Sequence, residues 1–510
     1  MGGAPWRSDG CNTCRRRKVK CDLQRPHCAR CLRGGHGCEG YERASKFIVH
    51  TFADQVKTGK EPICESMRFQ LKKTAKDAPR PAKETSITVI HLNAQIRSQL
   101  FSIFIDSYNP SAPKGQVSFR FRDASNVFEA LPSMLDGKNS QLLDRATSAL
   151  ASVFVGKKFK NDQMIHHGVE LYNQAIHSFS RLISRQGLPV REVLCANVVF
   201  QYYEMINSTS GFSGWMAHMQ GANAVVAQHE KSLEKDHISI MLFRQLKLSN
   251  IFHAIGKSRS ALYFCPMWQS LTSCTDGHNW ADPVDEIIDI LMRCTPFVEY
   301  IDNICSGHDT IQFMKLCHTL KHQTELWYAR LQSTSPSPLY TTVPNEAEIS
   351  RSHATKSLFP ERYHFASIEI AEVHMLYWTA SLIIYSLFQE IERREEFSDT
   401  TLLDSQCLNP IYVNRQDGSS PFMKNAELYT DQICRGVGYF VQPHMHILGG
   451  HNLLFPVSMA AQFFYRNGIN DRYLWCQEVF FSLESLGLGL AHVLRGTPWS
   501  RYKSGSGLQY

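Results

Sequence analysis

Residues 11–38, CNTCRRRKVKCDLQRPHCARCLRGGHGC, hold six of the chain's 16 cysteines, and their spacing constrains the fold more than any other feature. Cys11, Cys14 and Cys21 recur 17 residues later as Cys28, Cys31 and Cys38, so both halves read C-x2-C-x6-C. A C-x2-C pair turns the chain back on itself and bites one tetrahedral ion. Three thiols per half leave each metal one ligand short of four. Two ions close their coordination only by sharing thiolates, and the repeat nominates the first cysteine of each half, Cys11 and Cys28, as the bridges. A one-zinc ribbon built from Cys11, Cys14, Cys28 and Cys31 stays open beside this, as does a redox or disulfide cluster. No apolar run follows Met1, so a secretory signal is not expected. An intracellular chain disfavours disulfides and favours metal. So short a segment has almost no apolar core, so metal binding and folding are expected to be coupled.

Charge has a location as well as a size. Residues 1–90 carry 19 Lys and Arg against 9 Asp and Glu, whereas the remaining 420 residues carry 35 against 38. The net charge of +7 therefore arises at the N-terminal end, as for a small anion-binding module on a near-neutral body. Eight of those basic residues lie between the cysteines: Arg15, Arg16, Arg17, Lys18, Lys20, Arg25, Arg30 and Arg33. The run RRRK after Cys14 predicts a short helix whose first turn is pinned by the metal. A free basic run reads as a solvated face or a nuclear-import signal. One clamped between metal ligands points to recognition.

The six cysteines, the interposed RRRKVK and Pro26 between the halves resemble the fungal binuclear zinc-cluster transcription factors, the Zn2Cys6 module. The resemblance implies two Zn2+ ions bound by Cys11, Cys14, Cys21, Cys28, Cys31 and Cys38, with the first and fourth cysteines bridging. It implies binding to double-stranded DNA, with Arg17 and Lys18 in the base-reading positions and a CGG-type triplet as target. Arg and Lys suit guanine, whose N7 and O6 both accept hydrogen bonds. Arg15, Arg16, Lys20, Arg25, Arg30 and Arg33 are then cast as phosphate contacts, which add affinity rather than sequence choice.

The expected organisation is a DNA-binding domain over 1–45, a basic linker over 46–91 and an all-α regulatory domain over 92–510. Relatives of this kind often pair through a coiled coil in the linker. Here Phe52 and Val56 start a seam that Gly59 and Pro62 break, and Met67 with Leu71 is a fragment before Pro79 and Pro81. A homodimer or heterodimer is left open. Beyond residue 93 the pattern is helical: Ile165, Val169, Tyr172, Ile176, Phe179 and Ile183 recur in steps of four and three. REVLCANVVFQYYEM is apolar on most sides and is expected to be central. Further helices are read over 93–108, 140–156, 213–229, 235–256, 366–394 and 474–494, with long loops over 333–350 and 395–424. The run LYWTASLIIYSLF, 376–388, is too short to span a bilayer and reads as a buried helix, so no membrane partner is expected. QLFSIFIDSYNP, LLDRATSALASVFVGKK, ELYNQAIHSFSRLI, YYEM and GWMAHMQGANAVV resemble the fungal-specific transcription factor domain. That resemblance implies a regulatory domain with a small-molecule effector or a coregulator.

Other candidates carry less. HAIGKS ends like a phosphate loop but has Ile251 where the motif needs glycine. His444, His446 and His451 lack a completing cysteine or carboxylate. Asp136, Asp144 and Glu170 read as solvated faces. Cys195, Cys265, Cys274, Cys294, Cys305, Cys317, Cys407, Cys434 and Cys476 lack ligand spacing and read as apolar fillers. No catalytic grouping emerges, so the chain is not expected to be an enzyme. The reading is a small irregular zinc-cluster module followed by a large all-α domain, acting in the nucleus as a DNA-binding regulator of RNA polymerase II transcription, with a metabolic or secondary-metabolite gene set as its target. The alternative is a zinc-stabilised protein-interaction adaptor without base recognition.

Overall fold

The computed structural model describes residues 11–24, 28–38, 83–110, 127–128, 131, 141–183, 188–208, 211–229, 237–256, 282–301, 307–334, 338–346, 358–398 and 420–496. Two compact units divide the chain, Met1–Arg80 and Pro81–Tyr510. The smaller contains two five-residue helices, α1 (Asn12–Arg16) and α2 (Ala29–Arg33). Arg25, Pro26 and the linker residues Phe52, Val56, Met67 and Leu71 lie outside the described residues. The expected linker, 46–91, overlaps the first long helix, which begins at Lys83.

Among the described residues the larger unit is helical apart from one pair of short strands. Its helices are α3 (Lys83–Tyr108), α4 (Gln141–Lys158), α5 (Asp162–Ile183), α6 (Val190–Asn207), α7 (Phe212–His229), α8 (His237–Gly256), α9 (Pro283–Ile301) and α10 (Gly307–Ser333). After the strands come α11 (Ile368–Ser398), α12 (Pro421–Phe440), α13 (His446–Arg466), α14 (Asn470–Ser485) and α15 (Gly489–Arg495). Helix α6 is the centre that its sequence predicts, buried from Val193 through Asn207 and packed on α4, α7, α8 and α15. The apolar run 376–388 lies in α11, which packs against α9, α10, α12 and α13. Helix α11 is long and apolar enough to cross a membrane, but 83% of its most apolar window is buried within this unit.

The amphipathic stripe of α5 needs a correction of emphasis. Its large residues are half-buried and Ile183 is exposed, whereas Gly168 and Ala175 are buried. A Cβ on Gly168 would stand 2.6 Å from Val153 Cγ2 and 2.9 Å from the Val153 nitrogen, so α5 seats its smallest residues against α4. A large side chain is a poor guide to contact where two helix backbones approach this closely.

The expected loop over 333–350 contains a strand. β1 (Tyr340–Pro344) pairs antiparallel with β2 (Glu361–Phe365), Tyr340 opposite Phe365 and Thr342 opposite Tyr363. Five residues are too few for alternation to stand out in sequence. The hairpin is held by packing: Tyr340, Tyr363 and Phe365 cluster with His374 and Trp378 of α11. Tyr363 also donates to Gln432 of α12. Of the expected loop 395–424, residues 395–398 finish α11, Pro421 begins α12, and 399–419 lie outside the described residues.

The rejected candidates settle into structure. His446 Nδ1 bonds the Asp106 carbonyl at 2.8 Å and His451 Nδ1 bonds the Tyr108 hydroxyl at 2.9 Å. Asp144 pairs with Arg97, and Glu170 with His166. Cys195, Cys294, Cys317, Cys434 and Cys476 are buried fillers. Asp136 and the remaining four cysteines of that group fall outside the described residues.

Candidate metal centre and nucleic-acid interface

The 17-residue repeat of the sequence is also a repeat of backbone geometry. In the first half the Cys11 amide donates to Cys21 Sγ at 3.4 Å, and in the second the Cys28 amide donates to Cys38 Sγ at 3.4 Å. The Cys14 amide donates to Cys11 Sγ at 3.4 Å, and the Cys31 amide to Cys28 Sγ at 3.3 Å. Each short helix closes with the same bond, Val19 N–H to the Cys14 carbonyl and His36 N–H to the Cys31 carbonyl, both at 3.0 Å. The chain thereby returns the third cysteine of each half towards the first two.

The result is two sets of four sulfurs. Cys11, Cys14, Cys21 and Cys28 have their Sγ atoms within 4.8 Å of one another, and so do Cys11, Cys28, Cys31 and Cys38. Cys11 and Cys28 belong to both sets. Their sulfurs are 3.6 Å apart, and Cys14 and Cys28 are likewise 3.6 Å apart. Those separations are far beyond a disulfide bond of about 2.05 Å. They are close to the edge, about 3.8 Å, of a tetrahedron with Zn–S bonds of about 2.3 Å. Both sets draw on both halves, whereas the four cysteines of a one-zinc ribbon are only part of what is assembled.

The donor chemistry fits a soft divalent cation. Burial pushes the Cys11 thiol up to about 12 and raises Cys14 and Cys28 as well. Thiols buried this way keep their protons unless a cation takes their place, and thiolate-bound zinc does so. Amide donors on Cys11, Cys21, Cys28 and Cys38 sulfurs further stabilise the thiolate form.

Two contacts that the sequence reading missed tie the halves together. Asp22, next to Cys21, accepts from the amides of Gln24 at 3.1 Å, Ala29 at 3.2 Å and Arg30 at 2.6 Å. These hydrogen bonds, that of Gln24 foremost, hold its carboxyl below the usual range, and they cover the start of α2. Thr13 Oγ1 donates to the Gly37 carbonyl at 3.0 Å. An aspartate seven residues ahead of the helix that it caps carries no local signal, which is why sequence alone passes over it.

The basic side chains surround this centre. Arg16, Arg17, Lys18 and Lys20 are exposed, as are Arg30 and Arg33. Lys20 from the first half meets Arg30 and Arg33 from the second around one shallow concavity, with Asp22 on its wall. The backbone of Arg15 lies in α1, Arg25 lies outside the described residues, and neither side chain is described. Arg17, Lys18 and Lys20 make no ion pair among the described residues.

Residues 9–47 match the family described as the fungal Zn(2)-Cys(6) binuclear cluster domain. The chain is 61% identical over 33 residues to the aspercryptin biosynthesis cluster-specific transcription regulator of Emericella nidulans. It is also 61% identical over 33 residues to arginine metabolism regulation protein II of Saccharomyces cerevisiae. The matched stretch is 6% of this chain and spans 5% and 4% of those two relatives. No solved structure matches the chain. The N-terminal module is thus a Zn(2)-Cys(6) domain homologous to those of fungal transcription regulators, and such a cluster binds two zinc ions.

Proposed function

We propose that this protein is a nuclear, sequence-specific DNA-binding regulator of RNA polymerase II transcription. The observation that carries the reading is the pair of four-sulfur sets sharing Cys11 and Cys28, ringed by exposed Arg16, Arg17, Lys18 and Lys20. Cys14 and Cys21 complete one zinc site and Cys31 and Cys38 the other. The ions fix the end of α1 against the second half, and that end bears the base-reading residues. Arg17 donates to guanine O6 and N7 in the major groove, with Lys18 beside it, so a CGG-type triplet is the target. Lys20, Arg30 and Arg33 converge as a phosphate seat, and Arg15, Arg16 and Arg25 add further phosphate contacts that set register.

The helical domain is the regulatory part, of the kind that accompanies such zinc modules in fungal regulators. Both curated relatives are named for control of a biosynthetic or metabolic process, which supports a metabolic or secondary-metabolite gene set as the target here.

The test is selection from a pool of random duplexes by the full-length, zinc-loaded protein near physiological salt. Enrichment of CGG triplets that Arg17→Ala abolishes, with two zinc ions retained, is the expected outcome. A fixed spacing between two triplets would show a dimer on DNA, and a single triplet a monomer. A folded, two-zinc protein that enriches nothing would overturn base recognition and leave a zinc-stabilised protein-interaction adaptor.

A further inference from the structure

The larger unit holds a partly open cavity of about 130 Å³ between α6, α7, α8, α11 and α13. Its wall is mostly apolar, with Trp215, Leu248, Phe252, Met375 and Phe455 among the lining side chains. Two polar groups on that wall have unmet hydrogen-bonding capacity, as Asn197 of α6 also does. Gln201 of α6 is buried, and its carbonyl accepts from Ser249 at 2.9 Å, but its amide nitrogen has no acceptor. Glu372 of α11 faces the cavity, and no hydrogen bond or ion-pair contact reaches its carboxylate among the described residues.

The surrounding charges do not answer Glu372. The cation on the wall, Arg244 of α8, is committed elsewhere: its Nε donates to Asp285 at 2.9 Å and its Nη2 to Asp282 at 3.0 Å. One guanidinium therefore gives its hydrogen bonds to two carboxylates and acts on the third through electrostatic attraction alone. His451, also on the wall, is held neutral by burial. Counting Asp282 and Asp285 behind it, one guanidinium is shared among three carboxyl groups beside an apolar space. An unpaired acid in such a place is costly, and a neutral amide of the same shape would fit more cheaply.

We propose that this cavity is a binding site for a small organic cation, an apolar group about the size of one six-membered ring bearing a protonated amine that pairs with Glu372. The volume sets the ring: an apolar cavity of about 150 Å³ takes a benzene molecule. The aromatic faces of Trp215, Phe252 and Phe455 suit a cation as well as a ring. Gln201 offers its amide N–H to an acceptor atom on the same ligand. The site lies wholly within the helical unit and does not depend on the DNA-binding reading.

The experiment titrates the full-length, zinc-loaded protein with benzylamine and, in parallel, with benzyl alcohol, by calorimetry. The expected result is one site per chain that prefers benzylamine at least tenfold. Glu372→Gln removes that preference while leaving the thermal unfolding midpoint unchanged or higher. Leu248→Phe, which fills the cavity, abolishes binding of both probes. Equal affinity for the two probes, a preference that survives Glu372→Gln, binding that survives Leu248→Phe, or no saturable binding of either probe would each overturn the proposal. If Glu372→Gln does not fold, the wild-type preference together with Leu248→Phe still decides the matter.

Discussion

Lys18 and Gly35 occupy equivalent positions in the two halves of the zinc module, and both hold left-handed backbone, with φ of 54° and 66°. Each ends a short helix so that the chain can turn back to its third cysteine. Glycine takes this conformation freely, whereas a residue with a Cβ pays roughly 1–2 kcal/mol. Lysine in this place works against local stability, which supports a role for its side chain. Lys18→Gly is expected to keep two zinc ions, to resist chelator at least as well as the parent, and to lose preference among DNA triplets. Zinc release to a chromophoric chelator and duplex selection read the two effects separately. Retained preference would remove Lys18 from base reading.

Sharing of Cys11 and Cys28 makes the six cysteines inequivalent. Cys11→Ser takes a ligand from both four-sulfur sets, so loss of both ions is expected. Cys38→Ser touches one set only, so one ion is expected to remain more tightly held than the other. Zinc counted by mass spectrometry under native conditions distinguishes these outcomes. Complete removal of zinc is expected to unfold 11–38 and expose its thiols to alkylation, with little change in the helical circular dichroism of the larger unit.

Acid is expected to destabilise the helical unit. Burial lowers His218, His374 and His451 to about 4, so below the unfolded value near 6.5 the unfolded chain binds protons that the native chain does not. Each such group costs about 1.4 kcal/mol of stability per pH unit as pH falls through that window. Glu372 opposes them. Burial raises it to about 7, so over roughly pH 7 to 4.5 the native state binds the extra proton and gains on acidification. The three histidines outweigh it, so a net loss of stability is expected between pH 6 and 5. Urea unfolding of the intact protein at pH 7, 6 and 5 measures it, and a flat profile would show that these histidines titrate normally.

Gly168 sets how closely α5 approaches α4. Gly168→Leu places a branched side chain where a single Cβ already meets Val153 at 2.6 Å. A loss of about 2–3 kcal/mol, as for overpacked cores generally, is expected in denaturant unfolding. Ile183→Ala, on the exposed end of the stripe, is expected to change stability by less than about 0.5 kcal/mol.

What the sequence makes legible follows the range of the interactions. Cysteine spacing is local, so the two four-sulfur sets, with Cys11 and Cys28 in both, are anticipated by counting along residues 11–38. Helix α6 is legible because it is apolar on nearly every side. The hairpin is not, because Tyr340 and Phe365 gain their partners from α11 rather than from their own segments. Asp22 escapes notice because its partners are backbone amides set by a tertiary turn. Glu372 escapes because in sequence it is one acid in the first turns of a helix, and its isolation comes from four other helices.

The two halves of the zinc module share a backbone but not a surface. Seventeen residues after Arg15, Arg17, Lys18 and Lys20 stand Leu32, Gly34, Gly35 and Gly37; among these paired positions only Arg16 meets another arginine, Arg33. A scaffold with an approximate twofold axis would by itself present the same face twice. Gathering five of the module's eight basic residues into 15–20 gives it a front and a back. A single copy can thus meet an asymmetric triplet in one orientation only, and any arrangement of two copies inherits a direction from each.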